Sequence, residues 1–232
     1  MVNKLSFDEL YPQFDQPIIS SVDCGQECAP YNENGVPFCC DTQHSIPAAY
    51  QSEWCYLQAR TDLWHLWQPP DAELSEELRA QTPDDMLLIE CLGSRYCQRD
   101  YRSIACRAFP FFPYSTQAGQ FIGISYYWEY EDRCWMINHL DRVDEIYRQQ
   151  FVVAFETLFN AFPQERQNFA AYSADMRMNF AQQRRSIPLL HRNGKAYKIT
   201  PSNERMRLCA PSDFLKFEPY SIVAQLLFPD EL

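Results

Sequence analysis

Glycine is scarce, with 6 in a chain of 232 residues. A glycine-rich loop lets backbone amides cradle a nucleotide's phosphates, so that kind of site, and a Rossmann-type methyl-donor site with it, is unsupported. Positive charge is also short. Twenty basic side chains stand against 31 acidic ones, a formal charge of −11. Counterion release from a phosphate backbone needs the opposite field, so no nucleic-acid partner is expected. Long apolar runs are missing: no stretch approaches the ~18 consecutive apolar residues of a spanning helix. The opening residues, Met1 to Asp8, form no apolar h-region of a secretory signal. The expectation is a cytoplasmic chain with no membrane partner. What is present is apolar and aromatic residue, at 46% and 15%, which is the composition of a packed globular protein. The length exceeds the usual domain, and one domain with an elaborated end is the first expectation.

The pattern along the chain predicts an α+β fold. Residues 1–23 lack a clear period and read as an N-terminal arm on the surface. Ser45, Pro47 and the spacing of Ile46, Tyr50, Trp54 and Leu57 predict a helix to about Trp67, ended by Pro69 and Pro70. Ala72 to Ala80 reads as a short acidic helix, with Asp71 to Glu77 a solvated face. Phe121 to Trp128 and Arg133 to Ile137 read as a hairpin. Asp141 opens a helix with Phe151, Phe155 and Leu158 on its apolar face, and Pro163 stops it. A second helix spans about Gln164 to Arg184. Ile187–Leu190 and Ala196–Ile199 flank Asn193-Gly194, a tight-turn signal for a second hairpin. Tyr220 to Phe228 reads as a last docking helix. The predicted organisation is an arm (1–23), a cysteine-rich domain (24–114) and an α+β extension packed on it (115–232).

Cysteine is the abundant chemistry, with ten residues. In a reducing compartment clustered cysteines read first as metal ligands or redox groups. Seven fall into two loop-like stretches, Cys24-x3-Cys28-x10-Cys39-Cys40 and Cys91-x5-Cys97-x8-Cys106. Thiolate is a soft anionic donor suited to zinc and to iron–sulfur clusters, and four such ligands close either kind of site. A radical-SAM loop would need a third cysteine where Tyr31 stands, and a zinc ribbon would need two C-x2-C pairs that neither stretch provides. A mixed zinc site using His44 stays open.

Cys28 with the Cys39-Cys40 doublet, a following helix holding Ile46 and Glu53, and then Cys91, Cys97, Tyr101-Arg102 and Cys106-Arg107-Ala108-Phe109-Pro110 resemble the CxxCxxCC, or YkgJ-like, family of zinc- or iron-chelating domains. The resemblance covers about Cys24 to Tyr114. The x10 gap is longer than the family's spacing, and Ser103 stands where the family carries proline. The resemblance implies a metal centre held by Cys24, Cys28, Cys39, Cys40, Cys91, Cys97 and Cys106 or a subset of them. His44, Tyr101, Arg102 and Arg107 are candidates to surround it. Some family members are flagellin lysine N-methylases, so a protein-modifying role is implied as a possibility for the family.

Other residues have plainer readings. Cys55, Cys134 and Cys209, set among Trp54, Trp135 and Leu208, read as core packing. His65, His139 and His191 carry no partner motif. Trp128, Tyr130, Trp135 and Tyr147 could line a pocket or fill a core. The expected function is an all-cysteine metal centre, a [4Fe–4S] cluster ahead of zinc, in a redox, sensing or accessory role toward another protein. The alternatives are an enzyme resembling the lysine N-methylases and a structural zinc-binding interaction module.

Overall fold

The computed structural model describes residues 5–69 and 72–217, and the side chains of 72–75 and 77 lie outside that description. The expected helix at Tyr220 to Phe228 also lies outside the described residues. The fold is α+β. Seven α-helices and eight strands are described: α1 Phe7–Gln13, α2 Cys24–Cys28, β1 Ala48–Tyr50, α3 Gln51–Gln58, β2 Trp64–Leu66, α4 Ala72–Gln81, β3 Met86–Cys91, α5 Ile104–Ala108, β4 Phe111–Ser115, β5 Phe121–Tyr126, α6 Glu145–Ala161, α7 Pro163–Gln182, β6 Ile187–His191, β7 Ala196–Ile199 and β8 Met206–Cys209.

The strands form two antiparallel sheets, one in the order β1-β3-β2 and one in the order β4-β5-β6-β7-β8. In the larger sheet, strand alternation sends Phe111 to one face and Phe112 to the other. Phe112 and Tyr114 pack with Met176 and Phe180 of α7, while Phe111 joins Tyr147, Phe151 and Phe155 of α6. A bulge shifts the phase of β5. Ser115 pairs with Phe121 and Tyr114 with Gly123, so Ile122 has no opposite residue. Beyond it Ile124 and Tyr126 turn to the α6 face, and the Ser125 hydroxyl turns to the α7 face, 3.5 Å from the Met176 sulfur, and donates to the Pro188 carbonyl of β6 at 2.9 Å.

Several sequence expectations are corrected. The N-terminal arm is no surface feature, because Phe7, Leu10, Tyr11 and Phe14 of α1 and its C-cap are buried in the main core. The expected helix from Ser45 to Trp67 is broken into β1, α3 and β2, since two three-residue strands pair with β3 on either side. Phe121–Tyr126 pairs with β4, and 133–137 forms turns and irregular backbone leading into a 3-10 helix at Ile137–Arg142, so that predicted hairpin is wrong. Pro163 opens α7 instead of only ending α6, which is the position where a missing N–H costs nothing. Asp141 precedes the helix by one turn, and Asp144 is its N-cap residue. The hairpin at Asn193-Gly194 is present as β6–β7, with Gly194 at φ +85°.

Candidate functional site

The seven clustered cysteines are delivered by five short pieces of chain. Asp23 accepts from the Gly25 N–H at 3.1 Å and starts α2, which carries Cys24 and Cys28. A Cβ on Gly25 would lie 2.9 Å from the Pro37 ring, so only glycine lets α2 close on the turn that precedes Cys39 and Cys40. That turn is held by Asp41. Its carboxylate accepts from the amides of Asn34 at 2.8 Å and Asn32 at 3.0 Å, and from the Gln43 N–H at 3.0 Å. Burial works against the Asp41 charge, but these hydrogen bonds outweigh it and hold the pKa below the ordinary value.

Cys91 ends β3 opposite Trp64 of β2, and the Trp64 indole donates to the Tyr101 carbonyl at 2.7 Å. Cys97 follows a 3-10 turn at Ser94–Tyr96. Cys106 lies on α5, where the Ser103 hydroxyl caps the helix by accepting from the Cys106 N–H at 3.2 Å. Glu53, fully buried on α3, anchors this piece: its Oε1 accepts from the Ile104 N–H and from the Tyr11 hydroxyl, each at 2.7 Å. Glu53 Oε2 has no hydrogen-bond partner, and burial pushes the Glu53 pKa up to about 7.

Six of the seven thiol residues, Cys24, Cys39, Cys40, Cys91, Cys97 and Cys106, line one cavity of about 950 Å³. Cys28 does not line it; it is buried, and its thiol donates to the Gly25 carbonyl at 3.6 Å. Arg102 lines the cavity, and its Nε–H donates to the Cys97 sulfur at 3.0 Å. Arg107 is spent elsewhere. It donates to the carbonyls of Asp100 at 2.7 Å, Arg102 at 2.9 Å and Tyr11 at 3.3 Å, and its guanidinium lies 4.3 Å above the Tyr11 ring. Arg107 therefore staples α5 to α1 and meets neither a sulfur nor a carboxylate. His44 and Tyr101 do not line the cavity. The His44 ring packs edge-on to Phe38 with Nδ1 at 3.4 Å from Arg133, and Tyr101 contributes its carbonyl to Trp64.

The thiols sense one another in two neighbourhoods. Cys40 interacts with Cys91 and Cys106, Cys91 with Cys97, and Arg102 with Cys97, Cys106 and Cys40. Cys24, Cys28 and Cys39 interact with Cys134, and the two neighbourhoods overlap, since Cys28 also interacts with Cys40 and Cys24 with Arg102. Interaction between the adjacent thiols raises the Cys39 pKa and lowers that of Cys40. Burial pushes Cys24 up to about 11 and Cys106 up to about 12, and raises Cys28 and Cys91 as well. These thiols are protonated near neutral pH, and a metal binding them would have to displace their protons.

The rest of the cavity wall is different in kind. Tyr50, Phe109, Tyr127, Tyr130, Phe155 and Phe169 line it, together with the carboxylate of Glu165. Glu165 accepts from Asn168 at 2.9 Å and from the Tyr50 hydroxyl at 3.3 Å. Of the expected aromatic band, Tyr130 lines the cavity, while Tyr147 is core.

Cys134 packs against the core as its sequence reading has it, but it lies between turns and not on a strand, beside the first thiol group. Its separation from the motif stretches left no signal to find it. Cys55 is exposed on α3 and not core. Glu165 was missed because an acid in the first turn of a helix reads as a favourable surface residue.

In donor chemistry the cavity fits a sulfur-ligated group, with soft donors on several walls and Arg102 to offset their charge. In position it is open: among the described residues, no group of three or more His, Cys, Asp or Glu side chains is arranged to hold a metal ion. A single zinc ion needs sulfurs within about 4 Å of each other, given a Zn–S bond of about 2.3 Å, whereas a cluster stands between its ligands and keeps them apart. No helix among the described residues is long and apolar enough to cross a membrane. Compared with known proteins, the chain matches no family model, no curated protein and no solved structure.

Proposed function

We propose that this chain is a metal-binding protein whose cavity holds a thiolate-ligated centre, a [4Fe–4S] cluster in preference to zinc. The observation that carries the reading is the gathering of six motif cysteines around one cavity from segments far apart in sequence. Cys40, Cys97 and Cys106, the neighbours of Arg102, with Cys91, which neighbours Cys40, Cys97 and Cys106, are the first choice of ligands. All ten cysteines are free thiols, which suits a reducing cytoplasm. The role is redox, sensing or accessory, exercised toward another protein. The resemblance to the YkgJ-like domains points the same way through the same residues.

A second reading has a specific observation behind it. A purely structural centre has no use for a large aromatic-walled space beside the thiols, and about 950 Å³ is the size of a ligand pocket. That space favours an enzyme, of which a protein-modifying one resembling the lysine N-methylases is the instance the motif residues imply.

Strictly anaerobic purification followed by iron, sulfide and zinc analysis tests the first reading. Roughly four irons and a brown absorption are expected for a cubane. Cys106→Ser should lower the metal content sharply, because a hydroxyl is a poor soft donor, while exposed Cys55→Ser should leave it unchanged. Protein containing neither iron nor zinc would overturn the proposal.

A further inference from the structure

The charged groups on the cavity wall are unequally satisfied. Each acidic one has a protein partner: Asp23 is 3.7 Å from Arg99, Glu90 is 3.4 Å from His65, Asp15 accepts from Gln150 at 3.0 Å, and Glu165 is held by Asn168 and Tyr50. Arg107 is consumed by carbonyls. Arg102 is half used: among the described residues its one side-chain hydrogen bond is from Nε to Cys97, and the terminal guanidinium nitrogens have none. A guanidinium stays charged throughout the physiological pH range.

The surroundings of Arg102 favour an anion. Between Cys91 and Arg107 the chain carries Arg95, Arg99, Arg102 and Arg107 against the single acid Asp100, on a protein whose formal charge is −11. All four arginines line the cavity, with Arg95 and Arg99 exposed and Arg102 half-buried. Arg102, half-buried and without a carboxylate partner among the described residues, is the positive group an anionic ligand would meet. One free guanidinium matches a monoanion better than a phosphate dianion, and its planar edge suits a carboxylate's two oxygens. Part of the remaining wall is apolar, with Ile46, Phe109, Phe155 and Phe169 among its residues, beside the tyrosines and Glu165.

We infer that Arg102 is the anchor of a binding site for a carboxylate whose apolar body lies along the aromatic wall. The inference deepens the reading above in that it names a ligand class for the same cavity, and it rests on the cavity and not on the metal.

Isothermal titration of the anaerobically purified full chain with octanoate, iron content being measured on the same samples, tests it. Wild type should bind octanoate, and octylammonium of the same length at least tenfold more weakly. Arg102→Gln should weaken octanoate at least tenfold and Arg102→Lys by less, whereas Arg207→Gln, at an exposed position of β8 away from the cavity, should leave affinity within about twofold. No binding of octanoate at millimolar concentration, equal affinity for octylammonium, or an Arg102→Gln variant of unchanged affinity would overturn the inference. The wild-type comparison of the two probes stands even if a variant fails to fold. Octanoate binding that depends on Arg102 in protein without iron or zinc would sustain this inference while the proposed metal function fell.

Discussion

Glu53 concentrates the energetics of the site in one side chain. It is fully buried, ties α3 to α5 and to Tyr11 of α1, and leaves Oε2 unpartnered. A carboxyl whose pKa is about 7 in the fold, against an ordinary 4.5, holds its proton more tightly when folded. Below the lower value both states are protonated and the group adds no pH dependence. As pH rises through the two values, the unfolded chain ionises freely while the folded one pays for a buried charge, so stability falls. Glu53→Gln keeps an oxygen acceptor for Ile104 and Tyr11 and removes the titration. Urea unfolding at a series of pH values should show the wild type losing about 3 kcal/mol relative to Glu53→Gln between pH 4.5 and 8. Parallel curves for the two proteins would mean that Glu53 is not held at a raised pKa.

At the scale of the element, the junction that matters is β5 with β6, because it joins strands separated in sequence by both long helices. Gly123 lies opposite His191, and a Cβ there would meet the Leu190 carbonyl at 2.5 Å and the His191 Cα at 2.7 Å. Both obstacles are backbone and cannot swing aside. Gly123→Ala should cost about 3 kcal/mol, at the upper end of overpacking penalties, read as a lowered urea midpoint with an unchanged m-value. A midpoint equal to wild type would show that the sheet accommodates the change.

The same scale explains what could be read in advance. The helices α6 and α7 were legible because 17 and 20 residues sample the helical period many times over. The strands β1 and β2 were not, since three residues hold less than one full pattern and their partner β3 is distant in sequence. Pro113 lies inside β4, where a proline weakens a strand's sequence signal, and it is tolerated because β4 is an edge strand with one neighbour. With β4 hidden, β5 was assigned to the wrong partner. The two cysteine-rich stretches were legible from spacing, but their regrouping, with Cys40 beside Cys91 and Cys106, was not. Their gathering around a cavity was not, and neither was Cys134 beside Cys24, because both depend on tertiary packing.

Across the whole molecule, one continuous core runs from Phe7 to Phe214, so α1, the cysteine-bearing pieces and the large sheet share apolar contacts. Within it the order is unequal. The α6–α7–sheet half is built of long elements with interlocked rings, such as Phe151 with Phe155 at 4.4 Å and Phe112 with Tyr172 at 4.7 Å. The thiol-bearing half relies on five-residue helices, 3-10 turns and three-residue strands, which hold few backbone hydrogen bonds each. A centre that linked Cys40 to Cys91 and Cys106 would close a loop of some fifty residues there and restrict the opening of those short pieces. Removing metal from the anaerobic protein with a chelator should therefore speed amide exchange first in 24–50 and 86–108, while α6 and α7 keep their protection. Equal protection with and without metal would place the centre outside the forces that order the thiol-bearing half. Uniform loosening through α6 and α7 would instead make the shared core, rather than the local loops, the structure that metal supports.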